Sequence, residues 1–593
     1  MAERERAAAG KKKRGAPPRL SLRRAQSASA GALVAACEVL GWEARRAGRE
    51  ASSAELHWLA RDAQGCDVLA DPARRKAGVA VSRMAGAHAA CAKAATNAAL
   101  ARARALCPGS AIDRCWPESY ELPAQAMQLQ EAMRESGDAF WIVKPDAGAH
   151  GDGIFLSNDW ERVLRGTTAR EKSKSGAGDG AHVVQRYVAD PALLEGKKFD
   201  LRLYVLLTRP PGDLRAPDCV RAYLCHEGLV RVCASEYAPP REEAAPRLCA
   251  HLTNYSLNKS AGGFELAEGA DEGSKRSLSS VLELVGGSAG GAERVFHEIA
   301  ELASAVAGAI CHSIAAAELL APWPHSTDVD SCFQVLGMDV LLDSRLKPWL
   351  LELNAHPSLA VDAVVPLAEG VEGIPPGGTR PCRCKEMLTK LHYHLPSPVD
   401  MLVKRRVLSG ALEIVRRERR GLEALGGEHG GRAFVPVLTP GRASAAGPDG
   451  EGGPAARAAA AAPGPRPFEL LDTLYACMCA VLEAAPAGGC TRYALSTPRL
   501  RRLLERAGVL CHAEVDVVLP DASGGRATAG RAGEEAVGDA HAAYGAFGSF
   551  VDDVVVRVAA QSRRTTGAAL HRAVRVAAHA LLEASAGATP PLP

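Results

Sequence analysis

The sequence predicts an α+β chain, with antiparallel sheet and packed helices in the core and a separate small all-α module at the end. Three stretches carry that prediction: a hairpin at Phe333–Leu359, an alternating strand at Gly196–Thr208, and a strand–glycine loop–strand unit at Phe140–Ser157. Helical periods lie between them, and only helical periods follow residue 468.

The bulk numbers set the frame. A chain of 593 residues is too long for one hydrophobic core, so about two to four domains are expected. Hydrophobic residues at 47% and charged residues at 23% describe a globular protein. A net charge of +3 is too small to argue for nucleic acid, and no nucleic-acid partner is expected. The 17 cysteines are odd in number and follow no repeating framework, and the opening MAERERAAAGKKKRG is not an apolar leader. Reduced cysteines in an intracellular protein fit best. No long uncharged apolar run appears, so no membrane span is expected.

In chain order, residues 1–28 carry KKKRG, adjacent prolines and RLSLRR. They read as a disordered basic arm, with an import signal or an acidic-surface tether as alternatives. ALVAACEVLGWEARRAG reads as helix and AELHWLARD as strand, with Trp42 and Trp58 as core aromatics. Val81–Leu106 is an alanine-rich helical segment holding Lys93, and Trp116–Pro123 (WPESYELP) an extended turn.

In Phe140–Ser157 a strand delivers Lys144, and a loop with glycines at 148, 151 and 153 leads to the next strand. Glycines let backbone N–H groups approach a phosphate closely. The loop is neither a Walker loop nor a dinucleotide fingerprint; it reads as a flap over phosphates, or as an ordinary glycine-rich hairpin. HVVQRYV (His182–Val188) follows as a buried strand. In GKKFDLRLYVLLT, Phe199, Leu201 and Leu203 alternate with Lys198, Asp200, Arg202 and Tyr204. One face is therefore apolar and the other charged, either as an exposed sheet face or as the floor of a site. A strand pair continues through Cys219–Cys233, whose Arg231 points from the same sheet. HLTNYSLNK (His251–Lys259) offers Thr253 and Asn254 as hydrogen-bonders to phosphate or ribose, or as part of an Asx/Ser-Thr turn. Residues 293–320 form an amphipathic helix.

In the hairpin, the apolar runs Phe333–Leu342 and Trp349–Leu353 flank a polar turn, and Pro348 tolerates only the start of the second strand. A turn centred on Arg345–Leu346 sets Asp339 opposite Glu352, and strand alternation puts Asn354 on the face of Glu352. Carboxylates inside apolar strands are costly unless they meet a cation. Two carboxylates and an amide oxygen suit hard Mg²⁺, with phosphates completing the octahedron, so a metal–nucleotide site is expected. Cys382, Cys384, His392 and His394 match no standard zinc spacing. Met401–Arg420 is a helix with a basic face, either solvated or docked on an acidic partner. Glu423–Pro467 reads as a flexible linker. Phe468–Leu482, Ser496–Gly508 and helices at about 542–560 and 567–584 make up the terminal module.

KPDAGAHGDGI, VVQRYV, GKKFDLRLYVLLT, HEGLVR, HLTNYSLNK and LLELNAHPSL, in that order, resemble the tubulin–tyrosine-ligase-like family over roughly residues 31–420. Met338, where the family often has an aromatic, and the alanines of Val81–Leu106 depart from its pattern. The resemblance implies an ATP-grasp fold that joins amino acids to tubulin tails with ATP and Mg²⁺. It implies an N-terminal domain at 29–125, a central domain at 126–250 and a metal-bearing domain at 251–398. A basic helix at 399–422, the linker at 423–467 and a helical module at 468–586 follow. Lys144, Lys198 and, more weakly, Lys93 would neutralise phosphates. Gln185, Tyr187 and Val188 form the adenine hinge, Asp200 faces the sugar, and Thr253 with Asn254 the phosphates. Asp339, Glu352 and Asn354 would hold Mg²⁺, and Arg202 and Arg231 would grip the γ-phosphate end and the carboxylates.

The NAHPSL ending, the basic helix and the C-terminal extension look most like the glutamate-adding members. The expected partners are acidic tubulin tails and free L-glutamate, acted on by a monomer. The expected place is the cytoplasm and cytoskeleton, including the axoneme and basal body of a cilium or flagellum. Glycine or tyrosine ligation, or an inactive microtubule-binding protein, are the alternatives.

Overall fold

The computed structural model describes residues 17–438, apart from 26, 47–53, 60–78, 85, 107–108, 147–150, 169–180, 210–219, 242–247, 259–264, 266–268, 270, 288–289, 321–330 and 367–391. Residues 1–16, the Cys382/Cys384 pair, Gly148, the linker beyond 438 and the expected helical module at 468–586 lie outside the described residues.

The fold opens earlier than expected. Arg19–Arg24, assigned above to the disordered arm, is strand β1. Leu20 and Leu22 alternate into the core between the charged residues, a period-2 pattern too short to stand out beside KKKRG. Helix α1 (Ser27–Leu40), β2 (Glu43–Arg45), β3 (Leu56–Leu59) and β4 (Ala80–Val81) follow, and the four strands run parallel in the order β2-β1-β3-β4. The antiparallel expectation therefore fails for the N-terminal strands. Trp58 packs edge-on against Phe333, and Trp42 packs on the same core. The alanine-rich segment is not one helix. Gly86 takes a φ of 77°, Ala87–Ala90 makes a single turn, and helix α2 begins at Lys93 (Lys93–Leu106).

A small antiparallel sheet comes next: β5 (Ser119–Leu122), β6 (Trp141–Pro145), β7 (Phe155–Ser157) and β8 (His182–Arg186), in the order β5-β8-β6-β7. The expected turn at WPESYELP is thus partly strand, because Tyr120 pairs with Val184. Leu122, Leu129, Trp141, Val143, Val163 and Val184 give this sheet its own core.

The large sheet is built around one long strand. After β9 (Leu193–Leu194) comes β10 (Lys197–Arg209), then β11 (Arg221–Cys225), β12 (Leu229–Val232) and β13 (Lys275–Ser277). Helix α3 (Gly291–Leu320) leads to β14 (Ser331–Leu342) and β15 (Pro348–Asn354), and β16 (Asp362–Pro366) pairs with β17 (His392–Pro396). β11 and β12 do not pair with each other as expected. Each takes a different half of the same edge of β10, Val205–Thr208 and Phe199–Arg202 respectively, while β14 takes the other edge. The sheet therefore runs across the boundary expected near residue 250, and it joins the parallel strands where β14 meets β4.

Two cores sandwich this sheet. On one side Phe199, Leu201 and Leu203 of β10 meet Ile299, Leu302, Val306 and Ile310 of α3. On the other, Tyr204, Leu206, Phe333 and Val335 meet α1 and helix α4 (Pro398–Arg419). α4 is the expected basic helix, but it is a core element. Val403, Val407, Leu408, Ala411 and Leu412 are buried, and Arg416 and Arg420 pair with Glu55 while Arg419 donates to its carbonyl oxygen. Much of the charge expected to face solvent or an outside partner is therefore used internally.

The expected linker is also ordered at its start. Ala424–Gly426 and Glu428–Ala433 are helical, and Phe434–Leu438 forms β18, which pairs with β11. Phe434 is 1% exposed, and a Cβ added at Gly410 of α4 would lie 2.9 Å from its ring. Phe434→Ala is expected to destabilise the fold by about 3–5 kcal/mol, read from chemical denaturation, whereas a true linker residue would leave it unchanged. Among the described residues no helix is long and apolar enough to cross a membrane.

Candidate active site

A cleft of about 1230 Å³ lies against the charged face of β10, and every site residue expected from the sequence lines it. Its floor is one row of ionised side chains set by strand register. Arg231 of β12 pairs across to Asp200 of β10, Arg202 of β10 to Asp339 of β14, and Asp339 to Glu352 of β15. The hairpin turns at Arg345–Leu346 as expected, Leu346 taking a φ of 64°, and a bulge follows the Asp339–Glu352 pair.

Within the row the ions are tightly matched. Arg202 donates from Nε and Nη2 to the two oxygens of Asp339, the second bond 2.9 Å long. Arg231 donates from Nε to Asp200 Oδ1 at 2.8 Å, and from Nη2 both to Asp200 Oδ2 and to Asp339 Oδ2, the latter at 2.7 Å. Burial alone would raise Asp339, but the charges of Arg202 and Arg231 hold it well below the usual carboxylate range. Glu352 shifts the other way: burial and then the charge of Asp339 raise it, with Lys144 opposing. A Cβ at Gly337 would lie 3.2 Å from Cδ and Nε of Arg202, so glycine leaves the arginine its seat on Asp339.

The opposite wall supplies lysines. Lys144 on β6 donates to Gln185 Oε1 at 2.8 Å and to the Leu351 carbonyl at 3.1 Å. Gln185 in turn donates to Ser119 Oγ at 3.0 Å, so the side chain expected at the adenine hinge orients a lysine. Lys198 donates to Tyr187 Oη at 2.9 Å, and that hydroxyl lies 3.0 Å from His251 Nδ1. Burial and then the charge of Lys198 push His251 down to about 4, so the ring is neutral at physiological pH. Burial pushes both Lys144 and Lys198 down to about 8.

That value yields a pH dependence with a definite sign. Above about pH 8 the two ammonium groups of the ligand-free protein lose their protons, and an anion binds only after restoring them. Affinity for Mg·ATP is therefore expected to fall as pH rises through about 8, with proton uptake on binding. Calorimetric titration in two buffers of different ionisation enthalpy reads both, and a flat affinity to about pH 9.5 would refute the assignment.

The other expected residues occupy the rim. Lys93 opens α2, donating to the Asp146 carbonyl at 3.4 Å, while Asp146 Oδ1 accepts from the Ala94 N–H at 2.9 Å. Thr253 and Asn254 lie between the short helices Leu248–His251 and Tyr255–Asn258, with Asn254 against Gly151. Gly151 and Gly153 of the flap have φ values of 85° and 73°, which glycine adopts without strain. Sequence reasoning missed the apolar patch of Ile142, Ile154 and Leu252, which lines the cleft beside Tyr187 and Val188 and reads in sequence as ordinary core. It also missed the ion cluster of Lys275, Asp400 and Lys404 that lines the cleft, with Lys275 of β13 opposite Arg231 of β12.

Glu352 makes no ion pair among the described residues, and it faces Asp339 with Asn354 two positions further along β15. Two carboxylates and an amide oxygen fit a hard divalent ion whose remaining positions are filled by water or phosphate. No trio of His, Cys, Asp and Glu side chains gathers among the described residues, so the protein alone does not complete a cage.

Residues 89–366 match the model of the tubulin-tyrosine ligase family. Tubulin polyglutamylase TTLL7 of Xenopus tropicalis is 36% identical over 251 residues, 42% of this chain and 25% of the relative. Tubulin polyglutamylase ttll6 of Danio rerio is 35% identical over 249 residues, covering 42% and 29% of the two chains. Tubulin polyglutamylase TTLL11 of Mus musculus is 35% identical over 266 residues, covering 44% and 34%. The chain thus spans about a quarter to a third of the length of the curated relatives it matches.

Proposed function

We propose that this chain, whose residues 89–366 match the model of the tubulin-tyrosine ligase family, is an ATP-dependent ligase that adds glutamate to glutamate side chains, or to growing chains, on tubulin C-terminal tails. The observation that carries the chemistry is the Arg231–Asp200–Arg202–Asp339–Glu352 row facing Lys144 and Lys198 across one cleft. The choice of glutamate rests on the names of the relatives, each a tubulin polyglutamylase.

An amide cannot form from a carboxylate until one oxygen becomes a leaving group. A tail carboxylate oxygen attacks the γ-phosphorus of ATP, the bond to the bridging oxygen breaks, and ADP leaves. The amine of the incoming glutamate, having lost its proton to water, then attacks the acyl carbon, and inorganic phosphate leaves with the C–O bonding pair. Every step brings anions together, so fixed charge does the catalytic work and no side-chain nucleophile is needed.

Ile142, Ile154, Leu252, Tyr187 and Val188 hold the base, Asp200 the sugar end, and Lys144, Lys198 and Lys93 with Thr253 and Asn254 the phosphates. Asp339, Glu352 and Asn354 would hold Mg²⁺, which supplies charge neutralisation of the phosphates when bound. Nη1 of Arg202 and of Arg231 makes no hydrogen bond to the described residues, which leaves each guanidinium an edge for a transferring phosphoryl oxygen. The protein acts as a monomer on the cytoskeleton, with axonemal microtubules among its substrates.

The test is incubation with microtubules, Mg·ATP and labelled glutamate or glycine, followed by mass spectrometry of the tails. Glutamate increments are expected. Increments of glycine alone would reassign the substrate, and none with either amino acid would sink the proposal.

A further inference from the structure

Two buried lysines line the cleft, and they are held differently. Lys144 Nζ has two anchors, Gln185 Oε1 and the Leu351 carbonyl. Lys198 is 5% exposed and forms no ion pair among the described residues; its one hydrogen bond there goes to Tyr187 Oη at 2.9 Å. Its Nζ also lies 4.4 Å from the centroid of the same ring. Cys233 after β12, Asp200 on its own strand and Lys144 across the cleft act on its charge without a hydrogen bond. The aim of this ammonium therefore depends on one tyrosine.

Tyr187 is itself buried, and burial keeps its phenol protonated. A phenol has one proton and an oxygen that accepts, whereas an ammonium only donates. Tyr187 must then turn a lone pair to Lys198 and its proton elsewhere. The groups on its other side fix that rotation: His251 Nδ1, 3.0 Å from the same oxygen, and the hydroxyl of Tyr237. The His251 ring sits edge-on between the two tyrosines, its centroid 5.8 Å from that of Tyr187 and 5.6 Å from that of Tyr237. Tyr237 is tied in place, since its N–H donates to the Gly196 carbonyl at 2.9 Å and its Oη to the Ala189 carbonyl at 2.7 Å. Ala189 and Gly196 come just after Tyr187 and just before Lys198 in the chain, so the imidazole is braced by the backbone that carries both. Burial and the charge of Lys198 keep the ring neutral, so it adds no repulsion beside the lysine.

We propose that His251 is a positioning residue for Lys198, acting through the Tyr187 hydroxyl. The lysine, and not the imidazole, meets the phosphates. This deepens the nucleotide-site reading above and rests on it for the identity of the ligand. The rival role is local. His251 immediately precedes Leu252, Thr253 and Asn254, and its loss could act by shifting that loop alone.

The two roles differ in how losses combine, which calorimetric titration of the full chain with Mg·ATP reads. His251→Phe keeps both edge-on contacts and removes the ring nitrogens; Tyr187→Phe removes the hydroxyl from the other side. Each is expected to unfold near the parent temperature and to bind Mg·ATP about tenfold more weakly, the scale of one hydrogen bond to a charged group. The double variant should fall no more than about twofold below either single one, because both break the same chain of contacts. His251→Asn, whose amide offers a donor or an acceptor near the place of Nδ1, should return affinity to within about threefold of the parent. Parent-like binding by His251→Phe overturns the proposal. So do losses that multiply, which would place the effect in the Thr253–Asn254 loop, and so does a His251→Asn variant no better than His251→Phe. A parent that binds Mg·ATP with the expected pattern yet adds no glutamate to tubulin keeps the positioning role and retires the ligase reading. Glutamate addition by a parent whose Mg·ATP affinity His251→Phe leaves unchanged does the reverse, and a parent that binds no Mg·ATP sinks both.

Discussion

Glu352→Gln is expected to abolish measurable glutamate incorporation, lowering turnover about a hundredfold or more, while leaving the protein as stable as the parent or more so. The loss is on the scale of single preorganised electrostatic contacts at transition states. The stability half follows from the position of the group. Burial and Asp339 raise the Glu352 carboxyl above its ordinary range, so its charged form is disfavoured in the fold. A carboxyl raised on folding lowers stability as pH climbs from its unfolded value through its folded one. Glutamine keeps the size and removes that penalty. Calorimetric unfolding and tail mass spectrometry read the two halves. Added Mg²⁺ should raise the unfolding temperature of the parent and not that of the variant, because a ligand stabilises only the form that binds it. A variant that loses stability along with activity would show Glu352 to be a structural ion instead.

The same residue shows what was legible in the sequence. Asp339, Glu352 and Asn354 announce themselves because strand alternation is rigid and acids inside apolar strands need a reason. The turn position then fixes the register, and Asp339 does lie opposite Glu352. Lys198, Asp200 and Arg202 follow from alternation in the same way. Arg231 needed one further strand on the same edge and found its place opposite Asp200.

What failed to show in the sequence depends on long-range partners. RLSLRR reads as a basic arm until Leu20 finds its parallel partner Leu56 in β3. α4 reads as a basic surface helix because its buried residues are small and aliphatic, and because Glu55, which collects its arginines, lies more than 350 residues earlier. The Phe434–Leu438 strand is short and follows a glycine-rich run, so composition outweighed its alternation until β11 offered an edge. Lys404 was lost for the same reason, since a lysine in a basic helix gives no local sign that it is buried. Gln185 is the subtlest case. The sequence places it in an adenine hinge, and its side chain holds Lys144, a role visible only once β6 and β8 are paired.

Asp339 carries the largest structural debt in the cleft, and Asp339→Ala is expected to destabilise the protein by about 3–5 kcal/mol while also removing activity. Arg202 makes both of its carboxylate hydrogen bonds to this one side chain, whereas Arg231 retains Asp200. Removing the acid strands one buried guanidinium outright and loosens another, and breaking a buried pair from one side costs on that scale. The pH course separates this from an ordinary cavity. A carboxylate held below its usual range contributes stability that is fully present above the unfolded value of about 4 and is lost as pH falls through the folded one. The parent should therefore keep its advantage over Asp339→Ala down to about pH 4 and lose it progressively below. A cavity alone would leave the difference constant across that range. Arg202→Leu with Asp339→Leu should recover most of the lost stability and none of the activity, because an apolar pair replaces the ions without leaving either one buried alone. If the double variant is no more stable than Asp339→Ala, the row is held by its backbone register and not by its charges.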